Sequence, residues 1–193
     1  MSSSVEAQDQ IRVGIISLGC AKNLVDAEIM LGSLMKDGIE ITNEAAEADV
    51  VIVNTCSFIE AAQEESVDTI LESAELREQY RPEQGLIVSG CLPQRYRREL
   101  PKLPPEVDVF MGIDQVEEII GIIRKVYRKR AVRLQSSQRG KKKRGSLKKT
   151  EMSGTRRSSP MLSQAPSVEV HQRPHFVPDF ETPRFRLTPK CFA

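Results

Sequence analysis

The first half of the chain alternates short apolar runs with longer segments in which apolar residues recur every three or four positions. The short runs are rich in β-branched residues, as buried strands are, and lie at 12–18, 39–42, 49–55, 86–90 and 107–112. The longer segments have the periodicity of amphipathic helices and lie at 23–37, 58–79 and 114–130. Strands that alternate with helices predict a parallel sheet with helices on both faces.

Capping residues sharpen this prediction. Asn23 with Asp26, and Asp114 with Glu117, have the spacing of a capping box, so each pair predicts a helix start. Gly38 is expected to end the first helix, because glycine readily adopts the left-handed conformation found there. A short basic helix is predicted at 94–100. We therefore predict an α/β domain built on a flavodoxin-like open parallel sheet of about five strands with flanking helices.

Charge divides the chain into unlike parts, although its formal net charge is only +1. Residues 1–123 hold 9 Lys and Arg against 23 Asp and Glu, whereas residues 124–157 hold 15 against 1. We predict a disordered start at 1–10, a folded acidic domain at 11–130, and a basic low-complexity linker with an extended arm at 131–193. The linker lacks the apolar residues that a core requires.

Three cysteines follow three of the predicted strands: Cys20, Cys56 and Cys91. Right-handed crossovers bring the carboxyl ends of parallel strands to one edge of an open sheet, where ligands bind. Thiolates there favour an iron–sulfur cluster or zinc. Their spacing fits no local metal motif, however, and a free cysteine is often simply a small buried residue. Both interpretations stay open on spacing alone.

Three thiolates would leave one iron of a 4Fe–4S cluster open, whereas structural zinc ordinarily takes four ligands.

The other candidate groups have simpler interpretations. Cys191 could be a fourth ligand only across the linker, so we do not expect it to bind, and His171 and His175 suggest no ligand set. The basic stretch 139–157 could contact RNA phosphates weakly. It carries no aromatic residues on which bases could stack, which favours a solvated linker.

The composition also indicates the cellular compartment of the protein. The start of the chain is polar and unlike a signal peptide, and no apolar run approaches the roughly 18 residues that a membrane span requires. We therefore expect a cytoplasmic monomer without a membrane partner. In a reducing compartment the four cysteines are expected to be reduced, metal-bound or catalytic rather than paired as disulfides.

Three motifs run in the order found in radical-SAM methylthiotransferases. They are SLGCAKNLVDAEIMLGSLMKDG, NTCSFIEAAQEES and SGCLPQRYRREL, followed by PEVDVFMGI. Residues 12 to about 130 thus resemble the amino-terminal domain of that family. The resemblance implies that Cys20, Cys56 and Cys91 hold an auxiliary 4Fe–4S cluster, whose open iron is thought to carry the sulfur that is transferred. Asn23, Asn54 and Thr55 match positions around that pocket, without an implied chemical role.

The resemblance also implies a substrate. The first motif reads SLGCAKN, whereas tRNA-modifying members typically read FGCQMN, so it favours the branch that methylthiolates an aspartate of a small-subunit ribosomal protein. The ribosomal protein or the ribosome is then the implied partner. A fragment of a tRNA-modifying member, a non-catalytic module that binds an iron–sulfur cluster or a ribosomal protein, and a plain flavodoxin-like domain with structural cysteines are the alternatives.

One family feature does not occur in these 193 residues. Full-length members carry a second 4Fe–4S cluster on a CxxxCxxC loop in a central barrel, where S-adenosylmethionine is cleaved. The ending RFRLTPKCFA resembles the segment that leads into this barrel, with Cys191 where the family usually has histidine. We therefore expect a truncated methylthiotransferase that has no turnover by itself.

Overall fold

The computed structural model describes residues 10–100, 106–144, 166–173, 175–179, 181–185 and 187, and gives the backbone alone for 133–144. In these residues six strands form one parallel sheet: β1 Arg12–Ser17, β2 Glu40–Ile41, β3 Val50–Thr55, β4 Gly85–Gly90, β5 Val109–Met111 and β6 Ser167–Glu169. Four α-helices accompany it: α1 Ala21–Lys36, α2 Glu60–Tyr80, α3 Cys91–Arg95 and α4 Ile119–Arg144. The strand order β2-β1-β3-β4-β5-β6 confirms the flavodoxin-like α/β class, with one strand more than predicted.

Strands β3 and β4 form the centre of the core, and every residue in them is buried. Their side chains alternate between the two faces of the sheet. Val50 and Ile52 pack with α1 and α4 on one face. Val51 and Val53 pack with α2 on the other. Burial on both faces is the reason that these strands read as continuous apolar runs rather than alternating ones.

The predicted capping bonds are absent at both helix starts, although Asp114 does stand directly before a helical segment. Helix α1 begins at Ala21 after Cys20, which makes no side-chain capping bond, and Asn23 instead binds carbonyl oxygens of other segments. Asp26 pairs with Lys22 in its own helix. Asp114 precedes a short 3₁₀ turn and makes no capping bond either. Long-range acceptors and donors compete with the local cap in both places.

Helix ends and faces also differ from expectation. Gly38 does follow the end of α1, with a φ of +76°. The helix predicted to stop near Arg130 continues to Arg144, and the short basic helix is α3, which begins at Cys91. The predicted helical segment 58–79 includes Phe58 and Ile59, but α2 begins at Glu60 and both residues are exposed before it.

The carboxyl-terminal arm extends the sheet. Strand β6 pairs in parallel with β5, and Asp114 then holds the residues that follow. Its carboxylate accepts hydrogen bonds from the backbone N–H groups of His175 and Phe176, and it lies 2.9 Å from Nδ1 of His171. Burial alone would raise the pKa of Asp114, but these hydrogen bonds outweigh it and hold the pKa below its ordinary value.

A second carboxylate anchors the end of the arm to α1. Glu28 is buried, and Arg184 binds it through Nε at 2.6 Å and through a second guanidinium nitrogen at 2.5 Å. The backbone N–H of Leu187 donates to the same carboxylate, and that of Phe185 donates to the carbonyl of Glu28. A buried carboxylate that kept its charge without these partners would be costly. The expected extended arm is therefore part of the folded domain.

Some of the sequence predictions concern residues outside the described part of the chain. Most of the predicted disordered start, the basic residues 145–157 and Cys191 lie outside the described residues. The domain boundaries at 11–130 and 131–193 stay predictions. Among the helices that the structure describes, none combines the length and the apolar character needed to cross a membrane.

The arm gives a first testable prediction. It passes so close to α1 that a Cβ on Gly32 would lie 2.5 Å from the backbone nitrogen of Arg184, whereas a Cβ on Gly121 in α4 would meet nothing within 4 Å. Gly121→Ala should stabilise the protein by up to about 1 kcal/mol through helix propensity. Gly32→Ala should displace the arm. Hydrogen exchange should show faster exchange at 183–187 in Gly32→Ala only, and equal protection in both variants would contradict this.

Candidate iron–sulfur site

The three cysteine-bearing turns leave neighbouring strands at the same height. Ser17 of β1 is in register with Asn54 of β3, which is in register with Ser89 of β4. The next pair along is Thr55 with Gly90. Cys56 and Cys91 follow that pair directly, and Cys20 follows β1 after a short turn. The sheet therefore brings all three cysteines to the carboxyl edge of three adjacent strands, as the sequence predicts.

The three thiols differ in their surroundings. Cys20 is exposed at the start of α1, Cys56 is buried after β3, and Cys91 is half-buried at the start of α3. Burial raises the pKa of the Cys91 thiol, while the ammonium group of Lys22 opposes that rise. Electrostatic interaction with Cys56 and Cys20 raises the pKa of Cys91 further, so Cys91 lies within electrostatic reach of both.

The side chain of Asn23 connects the three turns. Its Nδ2 donates to the carbonyl oxygens of Leu18 and Thr55, each at 2.8 Å, in the turns that lead to Cys20 and Cys56. Because both of these partners are acceptors, the amide can have only one orientation. Oδ1 must then face Cys91, whose Sγ donates to it at 3.6 Å. One fully buried side chain thus contacts all three segments.

Asn54 and Thr55 complete this buried network. Nδ2 of Asn54 donates to the carbonyl oxygen of Asn23 at 2.8 Å, and the hydroxyl of Thr55 donates to the carbonyl oxygen of Ser89 at 2.6 Å. Oδ1 of Asn54 is buried and has no partner among the described residues. The motif residues singled out by resemblance therefore hold the strand ends together.

A second set of contacts, which the sequence did not predict, orders the loop at Cys56. The hydroxyl oxygen of Ser66 in α2 accepts from the backbone N–H of Cys56 at 3.1 Å and lies 3.0 Å from its carbonyl oxygen. A guanidinium nitrogen of Arg95 donates to the carbonyl oxygen of Ser57 at 2.7 Å. In the sequence, the one sign of the Ser66 contact is a serine on the inner face of the predicted helix.

Two glycines allow the turns to approach this closely. Gly19 has a φ of +103°, and a Cβ there would lie 2.5 Å from Cβ and 2.9 Å from Sγ of Cys56. Gly90 has a φ of +99°, and its Cβ would lie 2.4 Å from the carbonyl oxygen of Thr55. Both positions therefore require glycine for conformation and for space.

The donor set fits a soft metal centre, because three cysteines follow three adjacent strand ends whose turns are joined by one buried amide. The unpaired Oδ1 of Asn54 and the space that glycine leaves beside Cys56 are further features of such a pocket. As the side chains stand, no group of three or more His, Cys, Asp or Glu among the described residues could hold a metal ion. Metal binding would thus require side-chain rotation at the cysteines. His171 and His175 belong to the arm, and Cys191 lies outside the described residues.

Comparison with known proteins identifies the class. A family model described as "Uncharacterized protein family UPF0004" matches residues 12–112, more than half of the chain, and the chain belongs to that family. The matched residues include all three cysteines and both asparagines of the network. They also include the whole sheet as far as β5.

The most informative relatives carry one name, ribosomal protein uS12 methylthiotransferase RimO. The protein of Opitutus terrae is 43% identical over 186 residues, which cover 95% of this chain and 33% of the relative. That of Akkermansia muciniphila is 42% identical over 181 residues, 93% of this chain and 33% of the relative. That of Geobacter sulfurreducens is 55% identical over 112 residues, which cover 58% of this chain and 25% of the relative. The expected resemblance to methylthiotransferases is confirmed, and the chain spans about a third of the length of the first two relatives.

The glycine at the first turn gives a matched test. Gly19 and Gly38 both have positive φ, but only Gly19 has a cysteine at the position of the missing side chain. Alanine should cost about 1 kcal/mol at either position for its backbone conformation. Gly19→Ala should cost a further 1–3 kcal/mol or so, because Cys56 must move. Urea unfolding of both variants measures the difference, and equal losses would show that the approach is not tight.

The amide network gives a second test. Asn23→Ala should lower the free energy of unfolding by about 2 kcal/mol or more, because two buried carbonyl groups lose their donor. It should also speed alkylation of Cys91, whose thiol loses its acceptor. The control is Asn43→Ala, at an exposed asparagine before the 3₁₀ turn. Urea titration and the rate of iodoacetamide labelling measure the two effects, and a change no larger than that of the control would contradict this role of Asn23.

Proposed function

We propose that this chain is the cluster-binding amino-terminal part of a methylthiotransferase, and that its substrate is an aspartate of a small-subunit ribosomal protein. Cys20, Cys56 and Cys91 would ligate a 4Fe–4S cluster. The observation that carries the proposal is that three cysteines follow adjacent strand ends, in turns joined by the single amide of Asn23. The names of the relatives add the reaction and the substrate.

Each group at the edge would have a definite task. The three thiolates would hold the cluster, which when bound would supply an open iron as the place of the sulfur to be transferred. Asn23 and Asn54 would keep the turns at a fixed separation, and Ser66 would order the backbone at Cys56. The exposed side of Cys20 would face the open edge, from which a substrate or a second domain can approach.

Charge favours a protein substrate over tRNA. Residues 1–123, which contain all three cysteines, hold 23 acidic against 9 basic residues. An acidic surface attracts basic proteins and repels phosphate. This agrees with the branch indicated by SLGCAKN and disfavours the tRNA-modifying alternative. A monomeric state, a cytoplasmic location and weak RNA contact through 139–157 stay predictions.

One observation favours a second candidate. Cys56 is buried, and the side chains are not arranged around an ion in the described part of the chain. The cysteines would then be structural, in a non-catalytic binding domain. The two candidates differ in whether the thiols can turn toward one another.

Anaerobic reconstitution with ferrous iron and sulfide distinguishes the two candidates. The chain should take up about four iron and four sulfide and gain absorbance at about 400 nm. Cys20→Ala, Cys56→Ala and Cys91→Ala should each lose most of this uptake, whereas Cys191→Ala should retain it. Arsenite, which binds three thiolates together, should protect the same three cysteines from alkylation.

The result that would overturn the proposal is equally definite. Failure of both cluster uptake and arsenite protection in folded protein would leave structural cysteines. Because these 193 residues contain no CxxxCxxC, the reconstituted chain should form no 5′-deoxyadenosine from S-adenosylmethionine and reductant. Its formation would show that the assignment of the radical step to another part of the enzyme is wrong.

A further inference from the structure

The described residues cover the face of the sheet that carries α2 only in part. Parallel strands are usually joined by a crossover helix, but residues 42–49 join β2 to β3 with only a 3₁₀ turn at Ala45–Glu47. Helix α2 covers the part of this face over β3 and β4. Ile16 of β1 remains half-buried beside it. Among the described residues, the place that a further helix would ordinarily occupy is therefore open.

A groove of about 500 Å³ occupies this place. Ile16 and Val51 form its floor, Leu76 and Tyr80 of α2 form one wall, and the 3₁₀ turn forms the other. Leu76 is 48% exposed and Tyr80 is 67% exposed. Large apolar side chains at this exposure, along a concave surface, are typical of a site where a partner binds.

Polar contacts fix the shape of the groove. Nη1 of Arg81 donates to the carbonyl oxygens of Ala46 and Ala48, and its Nη2 donates to Asp49 at 3.0 Å. The side-chain amide of Gln84 donates to the carbonyl oxygens of Ala45 and Ala48 at 2.7 Å. These bonds tie the 3₁₀ turn to the end of α2, so the two walls form one preformed unit.

The rims of the groove are acidic. Helix α2 exposes seven carboxylates, and Arg77, its one basic residue, is buried against Asp108. Glu72 lies on the wall of the groove. Glu44 is exposed beside the opposite wall, as is Glu47, which pairs with Arg12 at 3.5 Å. An apolar channel between acidic rims is complementary to a segment with apolar residues on one side and lysine or arginine on the other.

We propose that this groove binds a cationic amphipathic helix of a partner protein, in the position of the missing crossover helix. Nucleic acid does not fit, because its phosphates would meet the acidic rims. The basic segment of this chain at 133–157 does not fit either. It contains three large apolar residues, Leu134, Leu147 and Met152, too few for the continuous apolar stripe of such a helix.

The groove is separate from the cysteines. Its walls come from the second half of α2, the 3₁₀ turn and the loop before β4, and its floor from β1 and β3, but none of Cys20, Cys56 and Cys91 lines it. The inference therefore does not depend on the proposed cluster. Binding can be tested in protein without iron.

The experiment uses the full chain and a fluorescent lysine–leucine peptide of about 18 residues, five turns of amphipathic helix. Anisotropy at physiological salt should show binding, and a peptide with serine in place of leucine should bind far less. Leu76→Ser and Tyr80→Ser should each weaken binding about tenfold, and Glu72→Lys should weaken it severalfold. Circular dichroism should show unchanged folding, because these side chains are exposed.

Matched controls come from the same helix. Leu71 is 49% exposed, and Glu75 is also exposed, but neither lines the groove. Leu71→Ser and Glu75→Lys should leave affinity nearly unchanged. Equal effects of groove and control variants would overturn the proposal in favour of general attraction to an acidic surface. Binding that arises only after Lys148, Lys149, Arg156 and Arg157 are changed to Gln would also overturn it, because the chain's own basic segment would then cover the groove.

Discussion

The candidate site depends on one buried amide. The Nδ2 group of Asn23 has two hydrogen atoms, and both bind carbonyl oxygens of the turns that precede Cys20 and Cys56. Its oxygen is thereby directed to Cys91. A side chain with this arrangement of donors and acceptor fixes three chain segments by chemistry that no hydrophobic contact could supply, because apolar packing sets distance without direction. The sheet brings the strand ends together, and Asn23 determines how they face one another.

The hydrogen-bond network of Asn23 also bears on the unequal exposure of the three thiols. Gly19 and Gly90 let the turns come close, but Cys56 is left buried while Cys20 is exposed. A network that holds the backbone in place still leaves each cysteine its side-chain torsion. If the three thiols bound one ligand, as proposed, the backbone of the turns would already be in place and the change would fall on the side-chain torsions, which would lower the ordering cost of binding.

Local pattern predicted the strands and the edge at which Cys20, Cys56 and Cys91 meet, because parallel-sheet topology follows from alternating elements. It failed at Asn23 and Asp114, which were assigned to helix caps. Both side chains bind groups far away in sequence, and such partners are invisible in a capping pattern. The sixth strand was missed for the same reason. Its pairing with β5 crosses a long connection, and a short polar arm carries no periodicity that would reveal it.

Helix α1 unites these features. Its first turn carries Asn23, which holds the cysteine turns, and its middle carries Glu28 and Gly32, on which the arm rests. Glu28 follows Asn23 at a spacing of more than one helical turn, on the same rigid element. The path of the arm is therefore fixed relative to the cysteine turns by a single helix.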